Sequence, residues 1–272
     1  NAFFQISELI KKNPENLEYI FLYAKMCNQV NKLDESEKAS LFLLSKNKNS
    51  IEYLQNLYST YLKKNNINKS EIFIKKLLKI DSKHYEAQRD LGYIEYTKEN
   101  FDNAHRILQK IITKKNHDPF ALNILGLIYL KKKLITKAIQ LFDKAIFHNP
   151  KYIDSYNNIG KTYFDLEDLN EAFNYFKKAY KINKNNGRTL INIGNYLSLK
   201  DKNLNAIKAY EKALLQEPQN NEIYSNIALA YARNRDFVNA KKFYDKASNK
   251  KVLSPSLDLS LAYLYIYKNQ FD

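Results

Sequence analysis

Four dipeptides, Leu125-Gly126, Ile159-Gly160, Ile193-Gly194 and Ile227-Ala228, recur along the chain at a fixed interval of 34 residues. A period of that length marks a solenoid, whose units cover their apolar faces with one another instead of closing into a globule. Rows of 34 drawn from Leu17 start at Leu17, Ile51, Tyr85, Pro119, Ile153, Gly187, Asn221 and Pro255, with no insertion needed. The eighth place of each row holds a very small residue: Ala24, Gly92, Gly126, Gly160, Gly194, Ala228 and Ala262, with Tyr58 the exception. The twentieth holds Ala2, Ala104, Ala138, Ala172, Ala206 and Ala240, and the twenty-seventh Ala145, Ala179, Ala213 and Ala247.

Small residues at three fixed places fit two antiparallel helices crossing tightly, because bulk there would push the axes apart. Large residues alternate with them, among them Tyr129, Tyr163 and Tyr231 at the eleventh place. Ile74, Leu108, Phe142, Phe176, Tyr210 and Tyr244 take the twenty-fourth. Spacings of three, four and seven dominate, and no two-residue alternation of the strand kind is found. All five prolines, Pro14, Pro119, Pro150, Pro218 and Pro255, fall at seams between rows, where a helix start or end tolerates them.

On these residues the chain resembles the tetratricopeptide repeat family, whose small, aromatic, alanine and proline positions recur at the same offsets. The resemblance implies an all-α, right-handed α-solenoid of helix-turn-helix units forming one array over residues 1–272. A half repeat (1–16) precedes full repeats 17–50, 51–84, 85–118, 119–152, 153–186, 187–220 and 221–254, and a half repeat (255–272) follows. The family's tryptophan at place four is replaced by Ile20, Leu54, Leu122, Tyr156, Leu190 and Tyr224, while Gln88 and Asp258 depart altogether. Ser36 and Ser40 occupy the alanine and bulky places of the first full row, so a local shift that packs Ala39 and Phe42 instead is expected there.

No apolar run approaches the roughly 18 residues that span a bilayer, and no charged-then-apolar leader precedes the first row, so a soluble fragment is expected. The single cysteine, Cys27, excludes an internal disulfide framework and fits a reducing, cytoplasmic compartment, with its thiol buried at place eleven. Asn1 and Asp272 both cut through a row, which points to a longer protein. Phe3, Phe4, Ile6 and Leu9 at one end, and Leu261, Ala262, Leu264, Tyr265 and Phe271 at the other, form apolar stripes expected to meet further repeats, another domain or a second copy.

The net charge of +15 invites a nucleic-acid reading. Its distribution argues against one. Lysines gather at helix ends and on the outer side of second helices, as in Lys131-Lys132-Lys133 and Lys177-Lys178. Only Arg89, Arg106, Arg188, Arg233 and Arg235 of the 44 basic residues are arginine, the residue suited to bidentate phosphate contacts. His84, His105, His117 and His148 form no metal-binding or catalytic spacing, and no glycine-rich phosphate loop exists. No enzyme activity, cofactor or metal is implied.

In the tetratricopeptide fold the first helix of each row lines an inner, concave surface. The resemblance therefore places Asn56, Asn158, Asn192 and Asn226, all at place six, in that groove, with Tyr93, Asn123, Asn157 and Lys161 beside them. Asp90 and Ile124 interrupt the series. A row of amides can pair with the backbone of an extended peptide whatever its side chains. It resembles the asparagine ladder of the O-linked N-acetylglucosamine transferase arm. Tyr96, Phe120, Leu127, Leu130, Phe164 and Tyr263 are candidates for side-chain contacts. The carboxylate clamp of chaperone-binding members needs lysine at place five. That place holds Phe21, Gln55, Arg89, Asn123, Asn157, Ile191 and Ser225, so this mode is rejected.

The function expected is a protein-interaction scaffold holding an extended peptide in its groove. The alternative is the substrate-recruiting arm of a larger glycosyltransferase or sulfotransferase.

Overall fold

The computed structural model describes residues 2–114, 117–248, 258–259 and 262–263. The chain divides into two compact units, Asn1–Lys132 and Lys133–Asp272. The first contains α1 (Ala2–Lys12), α2 (Leu17–Gln29), α3 (Leu33–Lys46), α4 (Ile51–Lys63), α5 (Ile67–Ile80), α6 (Tyr85–Thr97), α7 (Phe101–Lys114) and α8 (Pro119–Lys131). The second contains α9 (Ile135–His148), α10 (Ile153–Asp165), α11 (Leu169–Ile182), α12 (Gly187–Leu199), α13 (Asn203–Gln216), α14 (Asn221–Arg233) and α15 (Phe237–Ser248). Among the described residues all regular structure is helical, and each unit is a right-handed solenoid of helix-turn-helix repeats. No helix among them is long and apolar enough to cross a membrane. The boundary between the units falls in the turn of the fourth full row, between α8 and α9.

Every first helix, from α2 to α14, begins at place one of its row. Side-chain caps explain six of these seven starts, and α10, preceded by Tyr152, begins without one. Asn16, Ser50, Asp118, Asn186 and Asn220 each accept a backbone N–H of the following first turn, and His84 does so through Nδ1. The turn inside each row has an equally regular cause. Asn31, Asn65, Glu99, Lys133, Glu167, Asp201 and Arg235, one per row at place fifteen, have φ between 54° and 64°. The next residue then returns its N–H to the carbonyl five positions back, as Asn66 does to Tyr61 (2.8 Å) and Asp168 to Tyr163 (2.9 Å). This closes the first helix in a Schellman motif. The side chains of Asn66 and Asp168 then cap the second helix. No glycine occupies these left-handed positions, which is why the sequence does not announce them.

The close approach at place eight is sterically complete. A Cβ added to Gly160 would lie 2.5 Å from the Phe176 ring and 3.2 Å from the Ala172 carbonyl oxygen, and one on Gly92 would lie 2.7 Å from Leu108. Gly194 stands against Tyr210 in the same way. Phe176 and Tyr210 are fully buried, so neither ring has room to retreat. Tyr58 inverts this arrangement. It is itself buried where glycine stands elsewhere, and it packs in the cluster of Leu54, Leu57, Ile74 and Leu77. In the second unit Leu190, Ile207, Tyr210, Ala213, Ile223 and Ile227 form the corresponding core.

The expected local shift in the first row does not occur. Ser36 and Ser40 are fully buried, whereas Phe42 is 41% exposed and Ala39 only half-buried. Serine is tolerated in the alanine seat because its hydroxyl has partners: Ser36 Oγ donates to the Ala24 carbonyl at 2.9 Å. Cys27 is a buried free thiol, and burial pushes its pKa up. The outer lysines lie along aromatic rings, with Lys178 Nζ 4.4 Å from the Tyr175 centroid and Lys177 Nζ 5.1 Å from that of Phe173. At the N-terminal stripe Ile6 is buried while Phe4 and Leu9 are exposed. The Phe3 side chain, Leu261, Leu264, Tyr265 and Phe271 lie outside the described residues.

Two stability changes follow. Overpacking a rigid core costs about 1–3 kcal/mol, against roughly 1 kcal/mol that alanine gains over glycine within a helix. Gly160→Ala, which also meets backbone, is expected to lose about 1–2 kcal/mol net in urea unfolding. Glu167→Gly relieves a left-handed residue and is expected to gain up to about 1 kcal/mol, seen as a higher urea midpoint at unchanged slope.

Candidate functional site

In the first unit, α2, α4 and α6 present the same face side by side and enclose a cleft of about 430 Å³. Helix α2 supplies Phe21, Lys25, Asn28 and Gln29; α4 supplies Glu52, Gln55, Asn56, Tyr58 and Ser59; and α6 supplies Glu86, Arg89 and Asp90. Apart from Tyr58 at place eight, these are places two, five, six, nine, twelve and thirteen of their rows, the positions that a helix of 3.6 residues per turn brings to one side.

A partly buried ion cluster forms one wall of the cleft, with Asp90 buried and the Arg89 side chain 27% exposed. Arg89 Nε and Nη2 both donate to Asp90 Oδ1, at 2.9 and 2.8 Å, and Arg89 Nη1 lies 3.6 Å from Asp118 Oδ2. Tyr85 donates its hydroxyl to Asp118 Oδ2 at 2.7 Å. The guanidinium carbon sits 5.2 Å from the centroid of Phe120, whose ring meets Tyr93 edge-on at 5.5 Å. Burial pushes the Asp90 carboxyl above the usual carboxylate range, against the opposing pull of Arg89 and of a hydrogen bond from Tyr58. The Tyr58 hydroxyl is raised in turn, first by burial and then by the Asp90 charge.

Behind the cleft lies a buried polar network that sequence reading missed. Asn28 Nδ2 donates to Thr60 Oγ1 (2.7 Å) and Ser59 Oγ (3.0 Å), while Asn56 Nδ2 donates to Ser40 Oγ (2.8 Å) and Ser36 Oγ (3.3 Å). Ser36 Oγ also lies 2.9 Å from Thr60 Oγ1. The signal was present as serine in two apolar seats of the first row with asparagine at places six and twelve of the adjoining first helices. Asn56 therefore lines the cleft with little of its surface, and its amide nitrogen is directed inward to the two serines.

The second unit treats its asparagines in the same manner. Asn158, Asn192 and Asn226 stand at place six of α10, α12 and α14, and each is about nine-tenths buried. Asn192 Nδ2 donates to Asn157 Oδ1 and Asn226 Nδ2 to Asn195 Oδ1, both at 3.3 Å, and Asn158 Oδ1 accepts from Arg188 Nη2 at 3.0 Å. Asn157 is fully buried, donating to Thr189 Oγ1 at 2.9 Å, and so links α10 to α12. These amides run from helix to helix along the stack.

Of the remaining candidates, Asn123 is 4% exposed, Tyr93 is half-buried against Phe120, and Lys161 is exposed, pairing with Asp165 at 2.5 Å. The cleft residues Lys25, Gln29, Glu52, Gln55, Ser59 and Glu86 were not singled out from sequence, although places two, five, nine and thirteen point to them. His84 is a helix cap, and His105 Nε2 lies 3.1 Å from the Tyr129 hydroxyl. Among the described residues no group of three or more His, Cys, Asp or Glu side chains is placed to hold a metal ion.

Removing one partner of a buried ion pair leaves the other charge uncompensated, at about 3–5 kcal/mol. Arg89→Leu is expected to cost toward the lower end, because Asp90 keeps the Tyr58 bond. A carboxyl whose folded pKa is raised contributes stability at low pH that is lost as pH rises through that pKa. The loss in Arg89→Leu should accordingly shrink as pH falls from 7 through the raised Asp90 pKa. Urea unfolding of variant and wild type across that range checks the sign.

Models of the tetratricopeptide repeat match residues 51–84 and 153–186, and residues 89–156 and 200–250. No curated protein sequence matches the chain. Among solved structures, a chain of the APC/C hetero-tetramer Cut9-Hcn1 superposes with a TM-score of 0.76 at 16% identity, over 95% of this chain and 51% of that one. The present chain thus spans about half that protein's length. A tetratricopeptide repeat protein from Parabacteroides merdae gives 0.72 at 17% identity, over 84% and 91% of the two chains. Pseudomonas aeruginosa pilF gives 0.63 at 18%, over 78% and 96%. At such identities the likeness is one of fold alone. With repeat models covering more than half of its residues, and α4 and α10 beginning at residues 51 and 153 where two of those matches begin, the chain belongs to the tetratricopeptide repeat family.

Proposed function

We propose that this chain is a protein-interaction scaffold that takes an extended peptide along the inner face of its first helices. The observation that carries this reading is the open cleft across α2, α4 and α6, where three successive repeats each contribute side chains from the same places. Such a surface suits a linear partner, because equivalent positions repeat along it.

The cleft supports peptide contact better than the asparagine row does. A net hydrogen bond contributes roughly 0.5–1.5 kcal/mol, and a micromolar complex needs about 8 kcal/mol. The amides of Asn192 and Asn226 already engage Asn157 and Asn195, which leaves less of that contribution for a guest. The likeness to the O-linked N-acetylglucosamine transferase arm rests on Asn158, Asn192 and Asn226 together with Asn56. A recruiting arm of a glycosyltransferase or sulfotransferase would use the same inner face, and no described residue is particular to that role.

Selection of a random peptide display library on the purified chain tests the proposal. Enriched peptides are expected to bind in the micromolar range, and Gln55→Trp, which fills the cleft, should weaken them about tenfold or more with the thermal melt unchanged. A library that yields no binder, or binders indifferent to Gln55→Trp, would refute the groove.

A further inference from the structure

We infer that the segment received by the first-unit cleft is basic, with lysine or arginine side chains directed at Glu52 and Glu86. This rests on the groove reading above and adds the chemistry of the guest. The chain carries a charge of +15, yet this cleft has the opposite character. Its charged lining comprises Lys25, Glu52, Glu86, Arg89 and Asp90, three carboxylates against two cations, with Asp118 beside Arg89 and the Lys63 ammonium donating to the Asn28 carbonyl at 2.6 Å.

The two cations are not equivalent to open positive sites. Arg89 is the sole cation at place five in this unit, the position from which a peptide carboxylate would be held. Its fork already faces Asp90 at 2.8 Å and Asp118 at 3.6 Å, and its plane rests near Phe120. A guest carboxylate would have to displace a partly buried pair, and the exposed surroundings offer it Lys25, which lies over Phe21 at 5.5 Å, and Lys63, whose ammonium already donates to the Asn28 carbonyl at 2.6 Å. An acidic peptide is therefore disfavoured.

The two rim carboxylates are set apart by their place on the cleft. Some exposed acids of the described residues take lysine partners, as Asp34 does with Lys64, Asp102 with Lys132, Asp165 with Lys161 and Asp245 with Lys241, while others, Glu18 and Glu99 among them, make no such pair. Glu52 and Glu86 are exposed and make no lysine or arginine pair among the described residues. The nearest basic group to Glu86 is His84 Nδ1 at 3.8 Å, and that nitrogen accepts the Ala87 N–H, so it has no proton to offer. Both glutamates stand in the first turns of α4 and α6, where they favour the helix dipole. They also stand at place two of adjacent rows, on the cleft. An incoming ammonium or guanidinium would meet two carboxylates that the protein's own lysines leave open, and long-range repulsion from the outer lysines falls off over about 10 Å at 0.1 M salt.

Fluorescence anisotropy with three defined ten-residue peptides tests the inference: one alternating lysine with alanine and glycine, and two counterparts carrying glutamine or glutamate in place of lysine. The lysine peptide should bind most tightly, weaken with added salt, and lose about fivefold or more in affinity to the double variant Glu52→Gln, Glu86→Gln. That variant keeps side-chain shape, and its circular dichroism melt controls for folding. Equal or tighter binding of the glutamine or glutamate peptide, or no binding of the lysine peptide, overturns the inference. If the glutamine peptide binds as tightly as the lysine peptide and Gln55→Trp abolishes its binding, the groove stands while the basic guest falls. If no peptide responds to Gln55→Trp, the groove falls as well.

Discussion

The stack depends on how closely the two helices of each repeat approach at place eight. Gly160 under Phe176 and Gly194 under Tyr210 leave no room for a single methyl group, and that contact sets the separation of the axes. The pairing is a matter of volumes shared between places eight and twenty-four, since a fully buried aromatic needs a glycine opposite it. Where Tyr58 replaces the small residue, its hydroxyl leaves the helix pair and reaches Asp90 of the next row. One exchange of bulk in the second full row thus places a tyrosine on the wall of the first-unit cleft, next to the Arg89 cluster.

Polar residues follow a second rule within each unit. The inner face is rich in asparagine, serine and threonine, yet much of that polarity is directed along the stack. Asn28 and Asn56 tie α2, α3 and α4 together through Ser36, Ser40 and Thr60, and Asn157, Thr189 and Asn192 do the same for α10 and α12. Buried amides require partners, and the repeating geometry supplies them at fixed distances. What stays available to a guest is the set of side chains one turn away, at places two, five and nine, where Glu52, Gln55, Ser59 and Glu86 stand. The polar character that the cleft presents to solvent consequently comes from its charged rim more than from its asparagines.

Charge is distributed to match. Lysines cover the outer helices and lie along aromatic rings, which keeps them solvated while their methylenes shield apolar surface. Carboxylates concentrate at first turns and caps, where backbone N–H groups favour them. Because first turns of consecutive first helices are neighbours in the stack, this ordinary preference aligns Glu52 and Glu86 at one edge of the cleft. A local helix-end rule, repeated every 34 residues, thereby produces a surface of the opposite sign to the whole chain.

The sequence alone determined the helical fold class, the start of every first helix and the positions of tight packing, because each depends on residue size and spacing repeated in every row. Gly92, Gly160 and Gly194 declare themselves that way. The left-handed turn residues stayed hidden, since Asn31, Glu99 and Arg235 share a conformation but no chemistry. The seating of Ser36 and Ser40, the inward direction of Asn56, the burial of Asn157 and the joining of Arg89 to Asp90 and Asp118 were decided only in the tertiary structure. The reason is physical. Whether a polar side chain faces solvent or a neighbour depends on a partner some 30 positions away, and a single row of letters does not show which of its polar places that partner will engage.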